Sequence, residues 1–270
     1  MRTLVHISDL HFGRTDPAVI EPLLARVKSL EPDVVVVSGD LTQRARAAEF
    51  RDARAFLDRL PAPQIVVPGN HDVPLYRVWE RIASPLGKYR RIIGSDLEPS
   101  FVDDEIAVVG INTARALTFK NGRINEEQIR AIHRRFDPLA RTLTKVVVTH
   151  HPFHLPDDPD NDVIVGRARK AMEVFSRCGV DLLLAGHFHT SQTGDTSERH
   201  ELAGYSALVV QAGTATSTRG RGEHNSFNAV RVGDGEITVE RQVWQPEAGA
   251  FACEQIDRFR RDASRWVEVS

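Results

Sequence analysis

Asp9 and His11 in SDLHFG, Asp40 in SGDLTQ, Asn70 and His71 in PGNHDVP, His150 in THHP, and His187 and His189 in GHFHT are residues whose types could do metal chemistry. Each set follows a short apolar run that reads as a strand, and each sits beside glycine or another turn-forming residue. Taken singly they are weak: Asp9-x-His11 is also a capped turn, SGD another turn, GNH a left-handed turn with an incidental imidazole, and GHFH an exposed strand end. Five strand ends of the same character are hard to explain as separate caps, because the structural context of each motif is met every time. Carboxylates, a carboxamide and imidazoles offer hard oxygen and borderline nitrogen, a donor set for Mn, Fe or Zn rather than Ca, and a carboxylate can bridge two ions. Two ions about 4 Å apart stabilise both the attacking and the leaving oxygen of an in-line phosphoryl displacement. Gly39, Gly69 and Gly186 would let the backbone pass close to such a site.

The elements that must position these residues alternate between strand and helix. Thr3 to Ser8, Asp33 to Ser38 and Gln64 to Val67 read as buried strands separated by amphipathic helices at Pro17 to Leu30 and Ala45 to Leu60. Further on, strands are expected at Ile106 to Ile111, Lys145 to Thr149 and Asp181 to Ala185, with helices at Asn125 to Phe136 and Gly166 to Cys178. After residue 198 the helices stop, and β-like runs at Tyr205 to Gln211, Phe227 to Val232 and Ile237 to Trp244 suggest hairpins, one turning at GDG. The expected class is an α/β core finished by a mainly antiparallel section, with residues 1–245 as the domain and 246–270 as its C-terminal appendage. In open α/β sheets ligands gather beyond the carboxyl ends of the strands, and there the acids and imidazoles fall.

Composition narrows the function. With 270 residues, 41% of them hydrophobic, the chain can bury a sizeable core, and its net charge of −2 argues against an extended basic surface for nucleic acid. Its apolar runs are too short to span a bilayer and MRTLVHIS lacks the pattern of a secretion signal, so a cytoplasmic location is expected. Two cysteines, Cys178 and Cys253, make no thiolate site, so any metal must be held by nitrogen and oxygen.

The ordered set DLH, GD, GNHD, THHP and GHFH, spanning about residues 3 to 190, resembles the calcineurin-like metallophosphoesterases. The chain length and the opening HISDLHFG are similar to the bacterial branch of class III cyclic nucleotide phosphodiesterases. The resemblance implies a four-layer α/β/β/α sandwich with two transition-metal ions at the strand ends. It implies Asp9, His11 and His189 on the first ion, Asn70, His150 and His187 on the second, and Asp40 between them. It further implies that His71 contacts a phosphate oxygen and protonates the departing alkoxide, oriented by Asp72, while a hydroxide activated by both ions attacks phosphorus.

Other residues are open on sequence. His151 and His154 are read either as pocket or as loop packing; Asn112, Arg219, Arg221 and His224 either face the cavity or are solvated. His6, inside a strand, is expected in the core or behind the site, and His133 and His200 at the surface. In LYRVWERIASPLGKYRRII, residues 75 to 93, Leu75, Val78, Trp79 and Ile82 fall at helical spacing and are expected to pack on the core. Pro85 and Gly87 interrupt the continuous amphipathic helix that a membrane-surface role would need. The expected function is hydrolysis of small phosphodiesters, foremost 3′,5′-cyclic nucleotides; phospholipid or glycerophosphodiester hydrolysis is the alternative, ahead of a nuclease or a non-catalytic scaffold. A homo-oligomer and peripheral membrane contact are compatible with the chain.

Overall fold

Strands whose residues are all apolar must be covered on both faces, and the run Val34–Val37 has no exposed member. The computed structural model of the chain describes residues 1–118, 120–155, 164–196, 204–219, 222–263 and 265–269. In it β1 (Arg2–Ile7), β2 (Val34–Val37) and β3 (Gln64–Val66) are parallel, with Val5 opposite Val35 and Val36 opposite Ile65. On the other side of β1 an antiparallel series continues the sheet through β10 (Ser226–Gly233), β11 (Glu236–Gln245), β12 (Ala250–Asp262) and β13 (Arg265–Val269). The second sheet has the order β4 (Ser100–Val102), β5 (Ile106–Gly110), β6 (Thr144–Val148), β7 (Leu182–Ala185), β9 (Leu208–Gln211) and β8 (Gln192–Asp195). Its four inner strands are parallel and its two edges antiparallel.

The sheets face each other across Leu4, Val34, Val36 and Ile65 on one side and Val108, Val146, Leu182 and Leu184 on the other. Helices α1 (Pro17–Ser29) and α2 (Ala47–Leu57) cover the first sheet with Leu23, Val27, Phe50 and Phe56. Helices α5 (Glu126–Phe136) and α6 (Ala168–Cys178) cover the second with Ile129, Ile132, Met172 and Phe175. This is the α/β/β/α sandwich that the resemblance implies. Helix starts follow local chemistry: Asp16 accepts from the Ala18 amide ahead of Pro17, and Asn125 and Gln128 cap α5 reciprocally.

Two expectations gain detail and one is corrected. Leu208–Gln211 pairs antiparallel with β8, as a hairpin strand would, but its other edge runs parallel to β7, and Leu208, Val209 and Val210 are buried, which suits a strand inside the sheet. Residues after Pro246 form β12 and β13, which extend the first sheet and send Phe259 and Trp266 into the core between the sheets. Within residues 75 to 93 the face of Leu75, Val78, Trp79 and Ile82 does not pack on the core, whereas Leu86 and Tyr89 do. The segment forms α3 (Val78–Ala83) and α4 (Gly87–Ile92), broken around Pro85, and Trp79 is 85% exposed, Ile82 62% and Val78 59%. Arg81 turns inward instead, donating to the carbonyls of Pro74 (3.0 Å), Ala116 (2.6 Å) and Thr118 (3.1 Å). Those three charge-assisted bonds fix the rotation of a helix too short to fix its own.

Candidate metal centre

The parallel strands of both sheets end at one rim, and the turns beyond them carry the motif residues. Asp9 (φ 53°), His11 (48°), Asp40 (51°), His187 (81°) and His189 (63°) all hold left-handed backbone. Such conformations cost a residue with a side chain about 1–2 kcal/mol each and collect where function requires them. The turns are cross-tied: the Asp9 amide donates to the Gly39 carbonyl at 3.1 Å, the His187 amide to Asp9 Oδ2 at 3.0 Å, and the Gly186 amide to the His150 carbonyl at 3.1 Å.

Two clusters result. In the first, Asp9 Oδ1 lies 3.4 Å from His11 Nε2 and 3.2 Å from His189 Nε2, and the two ring nitrogens are 3.2 Å apart. In the second, Asn70 Oδ1 lies 3.1 Å from His150 Nε2 and 3.0 Å from His187 Nδ1, with the two nitrogens 3.3 Å apart. Asp40 Oδ2 stands between, 3.7 Å from His11 Nε2 and 3.4 Å from His150 Nε2. Asp9, His11, Asp40 and His150 are buried.

These atoms fit a metal better than they fit one another. The Ser38 carbonyl, 2.8 Å from His150 Nδ1, can only accept, so one ring proton sits there, and in the neutral ring a bare Nε2 would face the oxygens of Asn70 and Asp40. Likewise His189 Nδ1 faces the Arg219 carbonyl at 3.4 Å and leaves Nε2 toward His11 and Asp9, whose Oδ1 has no hydrogen-bond partner among the described residues. Acceptors turned on acceptors call for a positive charge between them. Burial opposes charge on His150, yet the adjacent Asp40 and Asp9 carboxylates outweigh it and raise its pKa to about 9. Burial opposes ionisation of Asp9 too, and the His11 and His189 rings nevertheless hold it well below the usual carboxylate range. The spacings also match the edges, about 3.0–3.4 Å, of a coordination shell with bonds of about 2.1 Å. Both clusters could hold metal ions.

Around them the sequence readings divide. His71 comes to the site: its amide donates to Asp40 Oδ1 at 2.8 Å, and its ring lies 4.8 Å from that of His11. Its Nδ1 is held by the Gln43 carbonyl (3.0 Å), leaving Nε2 toward Arg219 Nη1 at 3.2 Å, and burial lowers its pKa. Asp72, expected to orient that ring, makes its hydrogen bonds elsewhere. Its carboxylate accepts from the amides of Leu41, Thr42 and Gly69 and from the Thr42 hydroxyl, locking two site turns together. Burial and the nearby Asp40 charge raise its pKa to about 6.

His151 and His154, read either as pocket or as loop packing, are buried. Thr113 Oγ1 holds His151 Nδ1 at 2.8 Å, and the ring packs behind His150 and His187 with centroids 4.9 and 4.8 Å away. Asn112 caps its own turn through Oδ1 and the Ala114 amide, and lines a cavity of about 740 Å³. Arg219 reaches the site, His224 is exposed, and Arg221 and His200 lie outside the described residues. Sequence reasoning missed Ser38, Gln43 and Thr113, whose backbone or hydroxyl oxygens set three ring orientations. Only their place beside SGD, DLTQ and INT hinted at them.

His6 lies behind Ser38, its Nε2 2.8 Å from the hydroxyl, and burial depresses its pKa from 6.5 to about 3. The unfolded imidazole binds a proton below about pH 6.5 while the folded one does not. Stability therefore falls with pH in that window, by about 1.4 kcal/mol per unit from this group once fully developed. In His6→Gln urea midpoints should fall less between pH 7 and 4.5 than in the unmodified chain; equal slopes would mean that the folded ring takes up the proton.

Comparison with known proteins agrees with this geometry. The chain is 24% identical over 205 residues to a UDP-2,3-diacylglucosamine pyrophosphatase of Chlamydia trachomatis, covering 61% of this chain and 62% of that protein. It therefore spans less than two thirds of that relative. It is 26% identical over 200 residues to a probable cyclic nucleotide phosphodiesterase of Synechococcus, covering 69% and 73%. A dimetal phosphatase of Danio rerio superposes with a TM-score of 0.65 at 15% identity over 89% of this chain and 95% of the other, which supports the fold. The profile of the calcineurin-like phosphoesterases matches residues 2–191. The chain thus belongs to the calcineurin-like phosphoesterases, a family of hydrolases acting on phosphate esters.

Proposed function

We propose that the chain is a dinuclear-metal phosphodiesterase for small phosphodiesters, foremost 3′,5′-cyclic nucleotides. The observation that carries this is the Asp40 carboxylate set between two clusters of inward-facing acceptors. Asp9, His11 and His189 would hold one ion, Asn70, His150 and His187 the other, and Asp40 both; the nitrogen and oxygen donors suit Mn, Fe or Zn. When bound, such a pair supplies the Lewis-acid charge that activates water and neutralises charge on the phosphoryl oxygens. The protein's own part is at the rim. Arg219, beside His71, offers donors to a phosphate oxygen. His71, whose Nδ1 proton is held by the Gln43 carbonyl, would act as the imidazolium: Nε2 takes a second proton from solvent and passes it to the leaving alkoxide. The cyclic nucleotide assignment draws on the Synechococcus relative.

A second reading, a phospholipid or glycerophosphodiester substrate, is favoured by the apolar walls of the Asn112 cavity, among them Pro85, Leu86, Leu97 and Leu117. Metal analysis with bis(p-nitrophenyl) phosphate turnover in Mn²⁺ tests the chemistry. Less than one equivalent of transition metal together with no turnover would leave a scaffold. A panel of cAMP, cGMP, glycerophosphocholine and phosphatidylcholine then ranks the substrates. His71→Ala should keep its metal and lose about 100-fold on alkyl esters, but much less on p-nitrophenyl esters, whose leaving group needs no proton. Metal loss in that variant would make His71 a ligand instead.

A further inference from the structure

We propose that the face formed by α3 and the 114–118 loop docks on an anionic lipid bilayer. Tyr76, Val78, Trp79 and Ile82 are exposed there, and Leu117 is 86% exposed. Arg81, bonded to the carbonyls of Ala116 and Thr118, ties α3 to the loop, so these side chains belong to one surface. Isolated exposed apolar residues are ordinary on proteins, whereas a contiguous group led by Trp and Tyr is not.

The surroundings are basic. Arg44, Arg46, Arg77, Arg90 and Arg91 are exposed around or beside the patch, and the Arg44 guanidinium lies over the Tyr76 ring at 5.5 Å. The acid within the segment, Glu80, is engaged by both Arg77 and Lys88. Aromatic rings amid arginines suit the headgroup level of a bilayer, where the rings enter the interface and the cations meet lipid phosphates. A second copy docking through the same patch would set these arginines against each other, since a two-fold contact pairs a surface with itself. Charge therefore favours lipid. The apolar surface also continues inward: Leu117 borders the cavity that Asn112 lines, and Thr113, the next residue, holds His151 behind the second cluster.

Docking does not depend on the proposed chemistry, so the two are read separately. The full metal-loaded chain is sedimented with vesicles of mixed phosphatidylcholine and phosphatidylglycerol, with vesicles of phosphatidylcholine alone, and without vesicles. The expected result is co-sedimentation with the mixed vesicles, weakened by salt, and a drop of about tenfold or more in partitioning for Trp79→Ser/Ile82→Ser. Leu117→Ser, on the other half of the face, should act in the same direction. Bis(p-nitrophenyl) phosphate turnover in solution should stay within about twofold in Trp79→Ser/Ile82→Ser, because neither residue touches the clusters. The proposal is overturned if the unmodified chain stays in the supernatant, or if both variants partition as it does. It is equally overturned if sedimentation equilibrium finds a dimer that the double variant abolishes, for then a second copy covers the face.

Discussion

Asp40→Ala should lose bound metal and phosphodiesterase activity together, with kcat/KM on bis(p-nitrophenyl) phosphate falling by about 10³-fold or more. Asp40 is the carboxylate within reach of both clusters, 3.7 Å from His11 and 3.4 Å from His150, and it lies buried in a left-handed turn. Its removal takes away the negative charge against which the imidazoles are set, and leaves the His71 amide without the oxygen it meets at 2.8 Å. Asp40→Asn separates the two losses: the amide oxygen can still receive the His71 N–H, while the charge that binds cations is gone. It should fold nearly as well as the unmodified chain and still bind less than one equivalent of metal. An Asp40→Ala protein that keeps both equivalents would remove Asp40 from its proposed place.

Gly69→Ala should damage the same site without altering any chemical group. Gly69 has φ of −105°, which every residue adopts, so the argument is one of space. A Cβ there would stand 2.1 Å from Asp40 Oδ1 and 2.3 Å from the Asp40 amide nitrogen, closer than any real contact. The clash with backbone cannot be relieved by rotating a side chain, so the Asp40 turn or the Asn70 turn must shift. Displacements of about 1 Å at a catalytic constellation cost about 100-fold in rate, and overpacking of this kind costs about 1–3 kcal/mol of stability. Turnover and the urea midpoint should fall together. Gly94→Ala, where a Cβ would meet nothing within 4 Å, is the matched control and should change neither. Near-normal turnover in Gly69→Ala would show that the two turns have slack which their spacing denies.

Much of this was legible in the sequence because strand ends are local events. The motif residues follow their strands within a few positions, so recognising the strands placed Asp9, Asp40, Asn70, His150 and His187 on one rim. The pairing of cluster members was not local: nothing between His11 and His189 reveals that their ring nitrogens come within 3.2 Å, and the family resemblance supplied that grouping. The α3 segment failed because periodicity reports that a helix has an apolar face without saying which way the face turns. Three carbonyls from Pro74, Ala116 and Thr118, two of them distant in sequence, hold Arg81 inside and decide the rotation. The partners of Asp72 were not legible for a related reason. Adjacency to His71 suggested partnership, but the chain turns between them and the carboxylate faces Leu41, Thr42 and Gly69.

The cross-ties at the rim have a consequence for how such a site can change. Asp9, His11, Asp40 and Asn70 follow strands of the first sheet, while His150, His187 and His189 follow strands of the second. Neither sheet owns a complete set. The chemistry is a property of the seam, and a slip between the sheets, harmless to either core alone, would dismantle both sets at once. Loops elsewhere are free to diversify and retune substrate choice; the register between the sheets is not.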